Sequence, residues 1–215
     1  MIYIIKHKEV GVPILGEGYQ QFGVGKLYRG NNTDLNKLNP YINEVTALSD
    51  IANSDGDIVG LVHYSRFFKD LPLEKAEEIL EKYDIITTPL QDVGMPYNHL
   101  CNALGKDIVD KYLGMLPFEV QMWFHEKNTF NICNMFVSRK EFLTEYCDWL
   151  FPKIVPMAER FMRENITDDI RKNRTIGYIA ECLFGYYCKD YKRYFNPIME
   201  LNFEPVGTNI RRIRV

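Results

Sequence analysis

The stretch Asp57-Ile-Val-Gly-Leu-Val-His63-Tyr64-Ser65-Arg66-Phe67-Phe68 constrains this chain more than any other. Residues 58 to 62 are apolar or small without a break, the pattern of a strand buried on both faces. Such a strand needs a layer of structure above it and another below. The run then gives way to a histidine, a tyrosine, a serine and an arginine. In open α/β folds ligands sit outside the carboxyl ends of strands. Polar groups just past Val62 are therefore where chemistry is expected, although a buried strand with an ordinary polar turn fits this segment equally well.

With 215 residues the chain has room for one generous domain and a full core. A net charge of −3 gives no bulk attraction to nucleic acid. No stretch approaches the length of apolar sequence that crosses a membrane, so no span is expected. The apolar residues at Met1–Ile5 are too few for a secretory signal. Cys101, Cys133, Cys147, Cys182 and Cys188 are odd in number and lack CxxC spacing, which suits free thiols in a reducing cytosol. A cytoplasmic setting is expected.

Along the chain, residues 1–5 read as a buried strand opening into Lys6-His7-Lys8. Residues 9–40 hold many Gly and Asn and read as a long loop with one short strand. Pro40 sits where the first residue of a helix over 41–53 would be. Helices are expected over 73–82 and, with breaks near Gly114 and Pro117, over 101–127. Residues 83–88 and 130–137 read as strands, the second containing Asn134. Ser138 reads as the cap of a helix over 139–151, followed by one to about 165 and another over 171–187. Residues 192–215 read as irregular, with Arg211, Arg212 and Arg214 making the end basic. Strands alternating with helices predict an α/β sandwich.

Two motifs fail on physical grounds. Gly25-Lys26 is preceded by Gln20 where a phosphate-binding P-loop needs its first glycine, and is followed by Leu27 instead of Ser or Thr. Asp55-Gly56-Asp57 matches a divalent-metal pattern, but it precedes the strand, and a turn is the better reading. His63 and Arg66 are better placed. A departing diphosphate needs positive charge, and a fixed guanidinium supplies it without a metal cage. Asn134 interrupts an apolar run, so it either ties down a loop or binds a ligand hydroxyl. Arg174 and Glu181 lie seven positions apart, two turns along one helix face. A carboxylate there suits a general base, although solvated helix charges remain the blander and better-favoured reading from the residues alone.

Taken in order, Asn43-Glu44-Val45-Thr46-Ala47-Leu48, Gly60-Leu61-Val62-His63-Tyr64-Ser65-Arg66-Phe67-Phe68, Asn134-Met135-Phe136, Tyr146-Cys-Asp-Trp149-Leu-Phe151 and Arg174-x-x-Gly177-Tyr-x-x-Glu181-x-Leu183 resemble the DUF4422 family. These are small glycosyltransferase-like proteins found near bacterial capsule and surface-polysaccharide genes and in phages. The resemblance implies a single GT-A-like domain over 1–190, a mixed sheet flanked by helices, with residues 191–215 as an irregular basic tail. It implies transfer of a sugar from a nucleoside-diphosphate sugar, a UDP-sugar first, to a glycan hydroxyl. A hydroxylated base in phage DNA is the alternative acceptor, and an inactive carbohydrate- or nucleotide-binding module is a third reading.

By the same resemblance Glu181 and Arg66 are the catalytic candidates, Glu181 as base if the reaction inverts. Lys6, His7, Asn39, Glu44, His63, Tyr64, Asn134 and Arg174 would bind the donor. A divalent metal, Mn2+ or Mg2+, is left open, with His63 as its one candidate ligand. The family pattern His-Tyr-Arg-Arg is broken here by Ser65, which leaves Arg66 without its neighbouring arginine.

Overall fold

The computed structural model describes residues 1–215 except 13, 14, 16, 132, 165–168, 202–212 and 215, and the backbone alone of 213 and 214. The strands are β1 Ile2–Lys6, β2 Tyr19–Gly23, β3 Ile58–His63, β4 Arg66–Phe68, β5 Ile85–Thr87, β6 Leu90–Asp92, β7 Thr129–Asn131, β8 Phe136–Arg139, β9 Arg193–Phe195, β10 Ile198–Leu201 and β11 Ile213–Arg214. The helices are α1 Thr33–Lys37, α2 Asn39–Ile42, α3 Leu48–Ala52, α4 Leu73–Leu80, α5 Pro96–Leu104, α6 Lys106–Leu113, α7 Phe118–Phe124, α8 Lys140–Glu164, α9 Ile170–Asn173 and α10 Thr175–Tyr187.

The main sheet runs β2–β1–β3–β8–β5–β9. Strand β1 is parallel to both β2 and β3, whereas β8 is antiparallel to β3 and β5. The segment His63–Arg66 turns back through Tyr64 and Ser65, and β4 carries the edge onward to β10 and β11. This is the expected mixed α/β sheet flanked by helices. Strand periodicity divides the core cleanly. Tyr3, Ile5, Val59 and Leu61 face one side and pack with the helices α2, α3, α5–α8 and α10. Ile2, Ile4, Ile58 and Val62 face the other, against β4 and α4.

Several boundaries differ from the sequence expectation. Residues 192–215 are not irregular throughout: β9 pairs in parallel with β5, and β10 pairs with β4. Both strands are short, and their partners β5 and β4 are far away in sequence, so no local periodicity marks them. Arg211 and Arg212 lie outside the described residues. The strand expected over 130–137 is two strands in different sheets, separated by a kink where Cys133 takes φ 76°. Ser138 is a buried strand residue of β8 and not a helix cap.

The two helices expected over 139–165 are one. Helix α8 runs through Pro152 and Pro156. Each interior proline costs about 3 kcal/mol. Leu150, Ile154, Met157 and Phe161 are fully buried on the same helix, and each contributes about 1.5–3 kcal/mol. Burial outweighs the missing backbone bonds, so the helix continues. Among the described residues no helix is long and apolar enough to cross a membrane.

Leu61 is fully buried in the central strand. Leu61→Ala is expected to cost about 2–5 kcal/mol. Urea unfolding would show a lower midpoint at unchanged slope.

Candidate functional site

The parallel strands β2, β1 and β3 all end at one cavity of about 600 Å³. That volume is ordinary for a small-molecule site. Strand β2 leads to Val24, Gly25 and Lys26 on its wall, β1 to Ile5 and His7, and β3 to His63, Tyr64, Ser65 and Arg66. The opposite side comes from Asn39, Asn43 and Glu44 and from Asn173 and Arg174.

The helix expected over 41–53 breaks at Asn43, and the break builds this wall. Asn43 has φ 55° and ψ −138°, and a tight 3-10 segment Asn43–Ala47 separates α2 from α3. A non-glycine residue held there stores about 1–3 kcal/mol and persists only when its surroundings fix it. Three contacts do so. Arg174 Nε donates to Asn43 Oδ1 at 2.6 Å. The Asn43 carbonyl accepts from Asn39 Nδ2 at 2.8 Å and from Thr46 Oγ1 at 2.9 Å. Gly177 lets α10 approach: a Cβ there would lie 2.1 Å from Asn43 Nδ2. The helix expected over 171–187 is likewise split at Arg174, which leads from α9 into α10 and reaches the cavity.

Glu44 is buried under the cavity, 8% exposed. His63 Nε2 stands 3.5 Å from its Oε1, an electrostatic contact longer than a hydrogen bond, and Asn134 Nδ2 donates to the same oxygen at 3.2 Å. Burial alone would raise the Glu44 carboxyl. His63 and the hydrogen bonds from its own backbone and Asn134 outweigh burial and hold it well below the usual carboxylate range. Glu181 responds the other way. Burial pushes its carboxyl up to about 7 and the Glu44 charge adds to this, against the pull of His63, Arg174 and Arg66. His7 is lowered by burial and then by the nearby Lys8 and Arg174, and its ring meets Tyr64 edge-on at 5.3 Å.

Arg66 is held at the rim. Its Nε donates to Glu200 Oε1 at 2.8 Å and its Nη1 to Cys133 Sγ at 3.0 Å. The Cys133 thiol is pushed up to about 12, first by burial and then by Glu181.

The structure thus brings His7, Asn39, Glu44, His63, Tyr64, Arg66 and Arg174 to one cavity. Asn39 also serves the loop, through its bond to the Asn43 carbonyl. The other candidates lie elsewhere. Lys6 pairs with Glu9 at 3.2 Å. Asn134 braces Glu44 from behind, with its Oδ1 buried and unpartnered. Glu181 lines a neighbouring cavity of about 190 Å³. Lys26, Asn43 and Asn173 were not among the sequence candidates, though Asn43 opens one of the ordered motifs and Lys26 belongs to the rejected P-loop. The segment after β2 is a short 3-10 turn, Gly25–Leu27, and not the helix a P-loop requires.

Asp55 and Asp57 sit in an exposed turn before β3, at the end away from the cavity. Among the described residues no group of three or more His, Cys, Asp or Glu converges to hold a metal. His63 faces Glu44, whose Oε1 also accepts from Asn134. Lys26, Arg66 and Arg174 bring positive charge to the cavity wall.

Gly177→Ala is expected to push the Asn43 side chain away, lower stability by about 1–3 kcal/mol and weaken anion binding in the cavity. Calorimetry with and without UDP reads both effects. A carboxyl near 7 when folded, against 4.5 in a model peptide, keeps protons that the unfolded chain has released. Its stabilisation is therefore full below about pH 4.5 and is lost as pH rises through about 7. Glu181→Gln should flatten stability over that window in denaturant titrations. An unchanged slope would show that Glu181 is not the group titrating.

A structure described as the WbbM bifunctional glycosyltransferase in its apo form overlays on this chain with a TM-score of 0.72 at 20% identity. The match covers 95% of this chain and 47% of that one, so the chain spans about half the length of that structure. At that identity the likeness is one of fold, the helix-flanked mixed sheet. No curated protein matches the chain. The model of the DUF4422 family, a domain of unknown function, matches residues 1–193, and the chain belongs to that family.

Proposed function

We propose that this protein is a glycosyltransferase that moves a sugar from a nucleoside-diphosphate sugar, a UDP-sugar first among them, to a glycan hydroxyl. The observation that carries the reading is the cavity at the carboxyl ends of β1, β2 and β3, with Lys26, Arg66 and Arg174 on its wall. A diphosphate needs fixed positive charge both to bind and to leave, and cations aimed at developing charge are the largest catalytic term in such sites. The likeness to a glycosyltransferase structure in fold supports the same reading.

In this mechanism the diphosphate lies against Lys26, Arg66 and Arg174. Arg66 stabilises the charge that develops as the bond from the anomeric carbon to the phosphate oxygen breaks. The electron pair of that bond leaves on the diphosphate. The acceptor oxygen forms the new bond to the anomeric carbon, and its proton passes to the Glu181 carboxylate. A carboxyl near 7 is well matched to this role, because a base works best with its pKa close to the working pH. Glu44, ionised and buried, keeps Glu181 from titrating lower.

A thermal-shift screen of UDP-, GDP- and CMP-sugars, with and without Mn2+, tests the donor class by mass action. The expected result is a raised midpoint with one nucleotide family. No shift with any of them counts against the transferase reading. With a donor in hand, Glu181→Gln is expected to lower turnover by about 10²–10⁴-fold. Wild-type turnover should rise with pH through about 7 and then level, a profile the variant lacks. Arg66→Ala should also slow turnover, and wild-type rates in both variants would refute these assignments. A steep salt dependence of binding to DNA would move the acceptor from glycan to DNA.

A further inference from the structure

We propose that the smaller cavity, bounded by α5, β7, α9 and α10, is the binding site for the acceptor's sugar ring, separate from the cavity that takes the donor. The proposal rests on the transferase reading and supplies what that reading lacks, a place for the second substrate.

The cavity is amphipathic in the manner of a pyranose. Its floor is apolar: Leu100, Leu104, Phe130 and Cys182 are each at most 2% exposed. Its walls carry His99, Arg171, Tyr178 and Glu181, which offer donors and acceptors of hydrogen bonds. A sugar ring presents C–H groups on its faces and hydroxyls around its edge, and this lining matches both. The volume of about 190 Å³ is below the range typical of drug-sized ligands, so the occupant is small. A nucleotide sugar would not fit, whereas a single ring would.

Two links join this cavity to the larger one. Arg174, on the wall of the larger cavity, lies over the Tyr178 ring at 5.9 Å, and Tyr178 lines the smaller. Glu181 lines the smaller cavity and yet is close enough to Glu44, His63, Arg174 and Arg66, all on the larger, to feel their charges. Residues 174, 178 and 181 follow at helical spacing, so one face of α10 runs from one cavity to the other. A ring in the smaller cavity would place a hydroxyl beside Glu181 on the path toward the donor. An apolar side chain would cost less at this partly buried position, and a hydroxyl of the bound ring would give the carboxylate a partner.

Saturation-transfer NMR with methyl glycosides of glucose, galactose and mannose tests this without needing turnover. The full chain is measured alone, with saturating UDP, and as Ala103→Trp and His99→Ala. Ala103 is an exposed position of α5 on the cavity rim, so the indole can fill the cavity without disturbing the core. An unchanged thermal midpoint checks its folding. We expect at least one glycoside to bind, to stay bound in the presence of UDP, and to bind about tenfold or more weakly to Ala103→Trp. His99→Ala should weaken it as well.

Displacement of the glycoside by UDP would place it in the larger cavity and overturn the proposal. So would binding that neither variant affects. Binding of UDP with no glycoside bound would also overturn it, while leaving the transferase reading intact. Glycoside binding that Ala103→Trp abolishes, in a protein that no nucleotide stabilises, would support the sugar site and refute the transferase reading instead.

Discussion

The buried Glu44 carboxylate organises this molecule. An ion taken out of water costs several kcal/mol unless neighbours compensate it, and removing one partner of such a group costs about 3–5 kcal/mol. Here the carboxylate and its two partners come from three distant segments. Glu44 sits on the 3-10 segment after α2, His63 ends β3, and Asn134 lies in the kink between β7 and β8. Each is held by the need to satisfy the same charge. That requirement fixes where the loop over 43–47 lies relative to the sheet, and with it the wall of the larger cavity.

The same buried charge sets the protonation of its neighbour. Glu44 and Glu181 share a region of low dielectric, and only one of them has close compensation. Glu44 therefore stays ionised and Glu181 rises toward neutrality. Two carboxyls whose surroundings push them apart in this way fit the division between fixed charge and proton carrier that the proposed mechanism uses. Charge at the rim is arranged just as economically. Ser65 leaves Arg66 without an arginine neighbour in the turn, but Arg174 and Lys26 reach the same cavity from α9–α10 and from the end of β2. Arg66 itself is steadied by Glu200 of β10, so a strand near the end of the described chain helps to aim it.

Much of this was legible without coordinates. The apolar run over 58–62 does form the central strand, the turn after it does reach a cavity, and the Asp-Gly-Asp turn does lie at the wrong end for a ligand. Strong local patterns survive folding because burial rewards them directly. What stayed hidden has a shared cause. The breaks at Asn43, Cys133 and Arg174 fall inside stretches that read as continuous helix or strand, and each is enforced by a contact from far along the chain. Strands β9 and β10 are a few residues long and join the sheet through β5 and β4, more than a hundred residues away. Conversely, the division expected near 151 is absent, because core packing carries α8 through Pro152 and Pro156.

By itself, the sequence determined the layered α/β class, the central strand, the identity of most of the polar groups at the larger cavity and the membership in a family. The class and the strand depend on periodicity and residue type, which act locally, whereas the polar candidates and the family rest on the ordered motifs that resemble DUF4422. Only the tertiary structure decided which of those groups meet. It set Glu44 against His63, moved Lys6 off the cavity wall, and divided the candidates between two cavities, with Glu181 in the second. The reason is physical: a charge's role is set by burial and by its neighbours within a few ångströms, and in this chain those neighbours are far apart in sequence.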